Sequence, residues 1–492
     1  MKDTDKVGKA YIVVVGGGVA GAEQSSRMVL MTRGETHSAQ STPSQLHRSL
    51  GIGAATSVVV GGIIGSSIFF LPGLIAREVH SPLGLLLVWS LAALMAICGS
   101  VCFAELGSAL PKTGGTYYFL KRAYHPFPAG FVFAWTWYFA YASAAIGATA
   151  TGVGIFVSIL LEIPKDTNTL VVRSIAILVI VGLTTINCLG VVLSGRVQFC
   201  LSALKVTALV VVASLCLIAI PPADSALGSV FFGDIASIGW GGVGTSLMLA
   251  LFTFSGWHFA THIGGEVRDP GRNLPKATLF GVLIVIACYF LVIIGYMNAL
   301  SIQQISDSDA VATTAIATLV GARAAGIIAV MAVISALGGL NAQLLNYPRI
   351  VFALAQDVPS LRSLASVNDR SKTPARAILL QGGMACLYAS LGTFTDILTT
   401  VAFISHVFIA FAVGSVIVLR IREPHLERPY KAFLYPLTPI VYIIISVIYL
   451  ALLGYYRFNL SLIGIMIAVA AIPAYILFNK HIVDDYPQRH DS

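Results

Sequence analysis

The stretch Gly53–Gly73, GAATSVVVGGIIGSSIFFLPG, is apolar enough to enter a membrane but poorly built to cross one as a single helix. Gly61, Gly62 and Gly65 fall near its middle, followed by Ser66 and Ser67. Each glycine costs a helix about 1 kcal/mol relative to alanine, so the cluster marks a place where the helix opens. Backbone freed inside a bilayer must be buried in protein or line a cavity, since no water is present to bond it. A second stretch, LFTFSGWHFATHIGGE (Leu251–Glu266), has the same defect at Ser255-Gly256, with aromatic residues around it. Opened helices leave ends. An N-terminal end favours a carboxylate, and a C-terminal end favours an ammonium. A pair of breaks therefore suits a zwitterion without any charged side chain. For either stretch alone, the plainer reading is close helix packing through small residues.

The rest of the chain gives these breaks a setting. Apolar residues make up 57% of the 492 residues and charged ones 11%, with a mean hydropathy of +0.85. A soluble domain carries about 25% charged residues, so the composition is that of an all-α integral membrane protein. A span needs about 20 apolar residues. Twelve candidate transmembrane helices start near Ile52, Leu83, Ala129, Val171, Val197, Gly241, Ala277, Ala324, Ala377, Leu398, Leu434 and Leu460. With the N-terminus inside, roughly 25 of the 30 Lys and Arg fall on the cytoplasmic side. Arg77, Lys165, Arg173, Arg323 and Arg457 stay on the other. The net charge of +8 then reads as membrane orientation, not as nucleic-acid binding, and an even number of spans puts both termini in the cytoplasm. Residues 1–50 read as a disordered cytoplasmic tail, 51–480 as the membrane domain and 481–492 as a second tail. The seven cysteines all lie in apolar segments and no CxxC occurs, so they read as small buried hydrophobes rather than metal ligands or a disulfide framework.

One motif competes with this reading. Tyr11–Gly21, YIVVVGGGVAG, has the G-x-G-x-x-G spacing at Gly16, Gly18 and Gly21, which in a dinucleotide-binding fold brings backbone N–H groups to a pyrophosphate. The context fails. The first span begins about 30 residues later, too soon for a full nucleotide domain. Glu35 comes too early for the acidic residue expected about 20 positions on. No cofactor is expected, and a membrane-bound flavin or nicotinamide enzyme is the rival reading. The two breaks point elsewhere. They begin the two five-span halves of the chain, and matching interrupted segments in two halves indicate an inverted repeat around a midplane site.

At these residues the chain resembles the amino acid–polyamine–organocation transporters, and within them the L-type amino acid transporter branch. Gly61–Gly73 (GGIIGSSIFFLPG) is similar to the family's G-x-I-I-G-S-G-I-F-x-x-P. Cys102–Leu120 (CFAELGSALPKTGGTYYFL) is similar to C-Y-A-E-L-G…P-x-S-G-G-x-Y. Phe252–Ala277 (FTFSGWHFATHIGGEVRDPGRNLPKA) is similar to F-x-Y-x-G-W-x…E-x-x-x-P-x-x-N-L-P. The resemblance runs from about Gly51 to Tyr430. It implies a LeuT-like 5+5 inverted repeat with discontinuous helices 1 and 6, plus helices 11 and 12, and amino acid transport by alternating access. By the same resemblance, Ile63, Ile64, Gly65, Ser66, Ser67 and Ile68 would bind substrate from the first span. Phe252, Thr253, Phe254 and Ser255 would do so from the sixth, with Phe252 as the aromatic gate. Ser67 departs from the family, which usually has glycine there; its side chain crowds the site or adds a hydroxyl donor.

Three further features complete the reading. Lys205 lies about 12 Å along the fifth span by helical rise, too deep to snorkel easily, so an interior partner is expected. In sodium-independent relatives such a lysine stands in for a sodium ion, which implies sodium-independent transport here, with Gly61, Ser335 or Gly338 as its contacts. His258 reads as a neutral, hydrogen-bonded core histidine, with a substrate or proton contact as its accessory alternative. The loop Leu161–Val172 lacks the cysteine by which animal heteromeric relatives hold a heavy subunit, so no disulfide-linked partner is expected. The site spans hold no plain carboxylate pair, which favours neutral amino acids over cationic ones or polyamines. Glu105 and Glu266 read equally as gate groups or as solvated helix ends. The expected partners are an amino acid and the lipid bilayer, and the expected location is the plasma membrane. A non-transporting sensor on the same fold is the remaining alternative.

Overall fold

The computed structural model describes residues 46–479, apart from 162, 164, 231–237, 322–324, 392–393 and 457. The glycine motif at Gly16–Gly21 and both expected tails lie outside or almost wholly outside them. The described chain is helical, with two isolated bridges (Leu50 to Val267, Thr113 to Ile263) in place of any sheet. In chain order the helices are α1 (Ile52–Ile63), α2 (Leu71–Val79), α3 (Pro82–Ala109), α4 (Thr116–Ala123), α5 (Ala129–Thr136) and α6 (Ser143–Leu160). There follow α7 (Lys165–Leu189), α8 (Val191–Ile218), α9 (Ala226–Val230), α10 (Trp240–Thr253), α11 (Phe259–His262) and α12 (Pro270–Ala299). The series ends with α13 (Ile302–Asp307), α14 (Val311–Val320), α15 (Ala325–Asp357), α16 (Ala375–Leu391), α17 (Phe394–Arg422), α18 (Leu437–Tyr456) and α19 (Phe458–Asn479).

Among the described residues, eight stretches, within α3, α5–α6, α7, α8, α12, α15, α17 and α18, are long and apolar enough to cross a bilayer. Local chemistry sets several ends. Ser81 accepts a hydrogen bond from Gly84 N–H and Pro82 starts α3, the arrangement that suits a first helical turn. Ser301 and Gln304 form a reciprocal capping box on α13. Helix α8 begins at Val191 and α12 at Pro270, both earlier than the hydrophobic runs alone indicate, because α8 takes in Ser194-Gly195-Arg196 and α12 the polar segment Pro270–Lys276 ahead of the apolar run.

Between α5 and α6 the helix widens into a π turn, Trp137–Ala142, and the Ser143 hydroxyl donates to Tyr138 O, five residues back. Such turns re-aim side chains inside an otherwise regular helix. At the centre, α1 packs against α8, α12 and α15, and α12 also packs against α3. The two interrupted segments thus sit inside the bundle and not on its surface. Cys98, Cys102, Cys216 and Cys288 are buried as expected, but Cys200 is exposed, because it lies on the outer face of α8.

Candidate functional site

Both breaks are present as backbone geometry. Helix α1 stops at Ile63; Ile64 is extended (φ −70°, ψ 101°), as is Gly65, and a 3-10 turn, Ser66–Phe69, leads to α2. Helix α10 stops at Thr253, and a run of turns through Gly256 leads to α11. The breaks meet. Gly256 has φ +118°, where side chains are strained, and a Cβ there would lie 2.7 Å from the Gly62 carbonyl. A Cβ on Gly62 would lie 2.6 Å from the Phe259 ring. The glycines therefore serve the packing reading and the broken-helix reading together: they let two opened backbones touch.

The carbonyls freed from α1 have partners. Lys205 Nζ, buried on α8, donates to Gly61 O at 3.0 Å and to Ile64 O at 2.6 Å. An ammonium at a helix C-terminus faces the negative end of its dipole. Gly338 on α15 makes room for it, since a Cβ there would sit 2.4 Å from Lys205 Cε. Ser335, also on α15, donates to Gly65 O at 3.0 Å. Of the expected contacts, Gly61 and Gly338 meet the lysine directly, whereas Ser335 meets the break beside it. Ile64 O was not among the expected partners; a backbone carbonyl leaves no mark in sequence.

Two residues with no sequence signal stand here, one joining the breaks and the other packing beside it. The Tyr289 hydroxyl on α12 lies 3.1 Å from Ile63 O and 3.3 Å from Thr253 O, reaching the last turns of α1 and α10 together. Trp89 on α3 packs edge-on against Phe254 and Tyr289, with ring centroids 5.7 and 5.6 Å away. Beside them a buried polar chain ties four helices. Ser202 donates to Ser57 O at 2.8 Å, Gln198 to Ser202 at 3.0 Å, Asn341 to Gln198 at 2.7 Å, Asn187 to Asn341 at 3.0 Å and Ser194 to Asn187 at 2.6 Å. Ser194, Gln198 and Ser202 recur every four residues along α8 and so share one face, whereas only the fold brings Ser57, Asn187 and Asn341 to that face.

A cavity of about 50 Å³ adjoins the second break, bounded by Phe254, Ser255, Trp257 and His258, by Trp137 and Tyr141 of the π turn, and by His406. The expected site residues divide around it. Ile63, Ile64, Ser67 and Ile68 are buried at the first break, with Gly65 and Ser66 half-buried. Phe254, Ser255 and His258 border the cavity, and Thr253 is buried above it with its carbonyl toward Tyr289. Phe252 is 40% exposed and does not border it; Phe254 is the buried aromatic of that stretch. His258 corrects its expectation. It is buried among Phe103, Trp137, Trp257, Phe259 and His262, and neither ring nitrogen meets a hydrogen-bond partner among the described residues. Its neighbours are packed ring against ring, which brings no donor or acceptor atom within hydrogen-bond reach of either nitrogen.

Glu105 and Glu266 are not solvated ends. Glu266 and Arg349, both fully buried, are paired through two hydrogen bonds of 2.9 and 3.2 Å. Glu105 is bound by Arg420 at 2.6 Å, Arg428 at 3.3 Å and the Ala432 N–H at 2.6 Å. Around Glu266 the chain is further tied. Ser49 and Leu50 N–H both donate to Glu266 O at 2.9 Å, Arg268 N–H donates to Leu50 O at 2.9 Å, and Gly114 N–H donates to His262 O at 2.7 Å. No cluster of three or more metal-ligating side chains occurs among the described residues.

Sequence comparison places the chain beside known proteins. The family model described as "Amino acid permease" matches residues 50–478. The chain is 29% identical to the b(0,+)-type amino acid transporter 1 of Homo sapiens, over 78% of this chain and 79% of that one. It is 28% identical to the large neutral amino acids transporter small subunit 2 of Mus musculus, over 88% and 81%. It is 28% identical to the serine/threonine exchanger SteT of Bacillus subtilis (strain 168), over 88% and 98%.

Proposed function

Because this chain belongs to the amino acid permease family, and is an amino acid transporter rather than an enzyme, we propose that it moves neutral amino acids by alternating access, independently of sodium. Lys205 carries the proposal. Its ammonium occupies the carbonyl ends of the first break, where a bound cation would otherwise answer the same partial charges. Ser66 and Ser67 open the turn that follows, and the first N–H groups of such a turn have no partner within it. These donors, with the Ser67 hydroxyl, would receive the substrate carboxylate. The opposing carbonyls of Thr253 and its neighbours would receive the ammonium. Ile63, Ile64, Gly65, Ile68, Phe254 and Ser255 would enclose the backbone of the amino acid; Phe252, outside the cavity in this structure, would have to turn inward to serve as the aromatic gate that the resemblance implies.

Two observations favour neutral cargo. Glu105 and Glu266, the acids of the two motif stretches, are already neutralised by arginines, which leaves neither free to select a cationic side chain. The cavity beside Ser255 is walled by aromatic rings. The wider architecture we propose is twelve spans in a LeuT-like 5+5 repeat plus two, with both termini cytoplasmic, in the plasma membrane and without a disulfide-linked heavy subunit.

Counterflow in proteoliposomes tests the reading. Saturable, trans-stimulated uptake of a neutral amino acid, equal in sodium and in choline, is the expected result. Uptake that rises steeply with sodium would sink the sodium-independent part, and exchange confined to cationic amino acids or polyamines would replace the cargo. Absence of any exchange would favour the sensor.

A further inference from the structure

Away from the breaks, an open groove of about 350 Å³ lies where α1 and α8 begin. It is hollow because its floor is made by Gly51, Ala54 and Gly195. A Cβ on Gly51 would meet nothing within 4 Å, and Gly195 lets α8 approach the Leu50 side chain, where a Cβ would lie 3.1 Å away. Its walls are apolar. Leu50 is buried on one side, and Val192 and Phe199, exposed on the outer face of α8, stand on the other. The neighbouring exposed Leu193, Leu204 and Val211 continue that face along the helix, so the groove opens toward the hydrocarbon rather than toward water.

Its rim has a different chemistry. Arg196 is exposed and makes no hydrogen bond or ion pair among the described residues. Ser49 lines the same groove, and its hydroxyl oxygen is buried without a partner among the described residues. Helices α1 and α8 both start here, so the positive ends of their dipoles add to the arginine. An apolar trough with a guanidinium at its rim and an unpartnered hydroxyl in its wall is complementary to a phosphate ester carried on an acyl chain. Arginine presents a fork of donors that fits phosphate oxygens, and basic residues beside a membrane attract anionic lipids.

We propose that this groove is a binding site for one anionic phospholipid. An acyl chain fills the trough between Leu50 and Phe199, Arg196 holds the phosphate, and the Ser49 hydroxyl donates to a phosphate or ester oxygen. The site has a structural consequence. Ser49 and Leu50 are the residues whose N–H groups hold the Glu266 carbonyl, so a lipid in the groove braces the strap that ties the start of α1 to the segment after α11. The proposal does not depend on which amino acid is carried.

Native mass spectrometry of the purified full chain tests it, with added phosphatidylglycerol or phosphatidylcholine of identical acyl chains. The wild type is expected to retain one phosphatidylglycerol at least fivefold over phosphatidylcholine. Arg196→Gln should abolish that preference. Gly51→Phe should lower retention of both lipids, since its ring enters the trough from an extended backbone (φ −84°) that any residue adopts. Equal retention of the two lipids by the wild type would overturn the proposal. So would a preference left intact by Arg196→Gln, and both outcomes are read from protein that has folded. If inorganic phosphate alone displaced the lipid at equal concentration, the acyl chain would have no part in the site and the proposal would fail.

Discussion

Lys205 shows how a single residue is read differently before and after folding. Its depth in an apolar run already calls for an interior partner, and the structure supplies two backbone carbonyls. Replacing it with methionine keeps the volume but strands both carbonyls. An unsatisfied buried acceptor costs about 1–3 kcal/mol. Lys205→Met is therefore expected to cut counterflow at least tenfold, with no recovery on adding sodium, at unchanged expression in a thermal-shift assay corrected for that loss. Gly338→Ala checks the same contact from the other side. Its Cβ would fall 2.4 Å from Lys205 Cε, so the lysine must move, and a partial loss of rate is expected. Gly256→Ala meets backbone instead of a flexible chain end, at a positive φ, and should behave as a folding defect visible by size-exclusion chromatography.

The elements that matter are the interrupted ones, and what joins them is Tyr289. One hydroxyl serves the last turn of α1 and of α10, so the two breaks are fastened to α12 at one point. Tyr289→Phe deletes that oxygen and leaves the ring packed on Trp89 and Phe254. The loss of stability should be modest, on the order of 1 kcal/mol. The loss of transport should be larger, because the breaks would no longer be held in register; comparing melting temperature with counterflow rate separates the two. The breaks themselves were legible in sequence from clustered glycine and serine. Their fastening was not, because Tyr289 sits in an ordinary apolar helix with no local sign of its partners. The π turn at Trp137–Ala142 was equally silent, since its residues are good α-helix spans by composition.

At the scale of the molecule, Glu105 and Glu266 are each tied into ion pairs, the second of them fully buried. A fully buried pair is weak evidence for stability, but breaking one leaves an uncompensated charge, which costs about 3–5 kcal/mol. Glu266→Gln should therefore destabilise severely, by that amount, through Arg349. The double substitution Glu266→Leu with Arg349→Met should recover much of the melting temperature. If the pair holds the gate shut, the double variant should also exchange substrate faster. A double variant as unstable as the single one would show that the surrounding ties, including the Leu50–Val267 bridge, rest on the pair itself.

Composition by itself determined that the chain is an α-helical membrane protein, because 57% apolar residues in long runs have no soluble solution. Clustered glycines at Gly61–Gly65 and at Gly256 located the two breaks, because helix propensity is a local property that neighbours in sequence control. Tertiary structure alone decided what the breaks meet. It set Gly62 against Gly256, carried Lys205 across 141 positions to Ile64 O, lined up Gln198, Asn187 and Asn341, and turned Glu266 from a helix-end acid into a buried ion pair. The reason is physical. Carbonyl oxygens, helix faces and desolvation are made by packing between distant segments, and no residue type announces which distant partner it will meet.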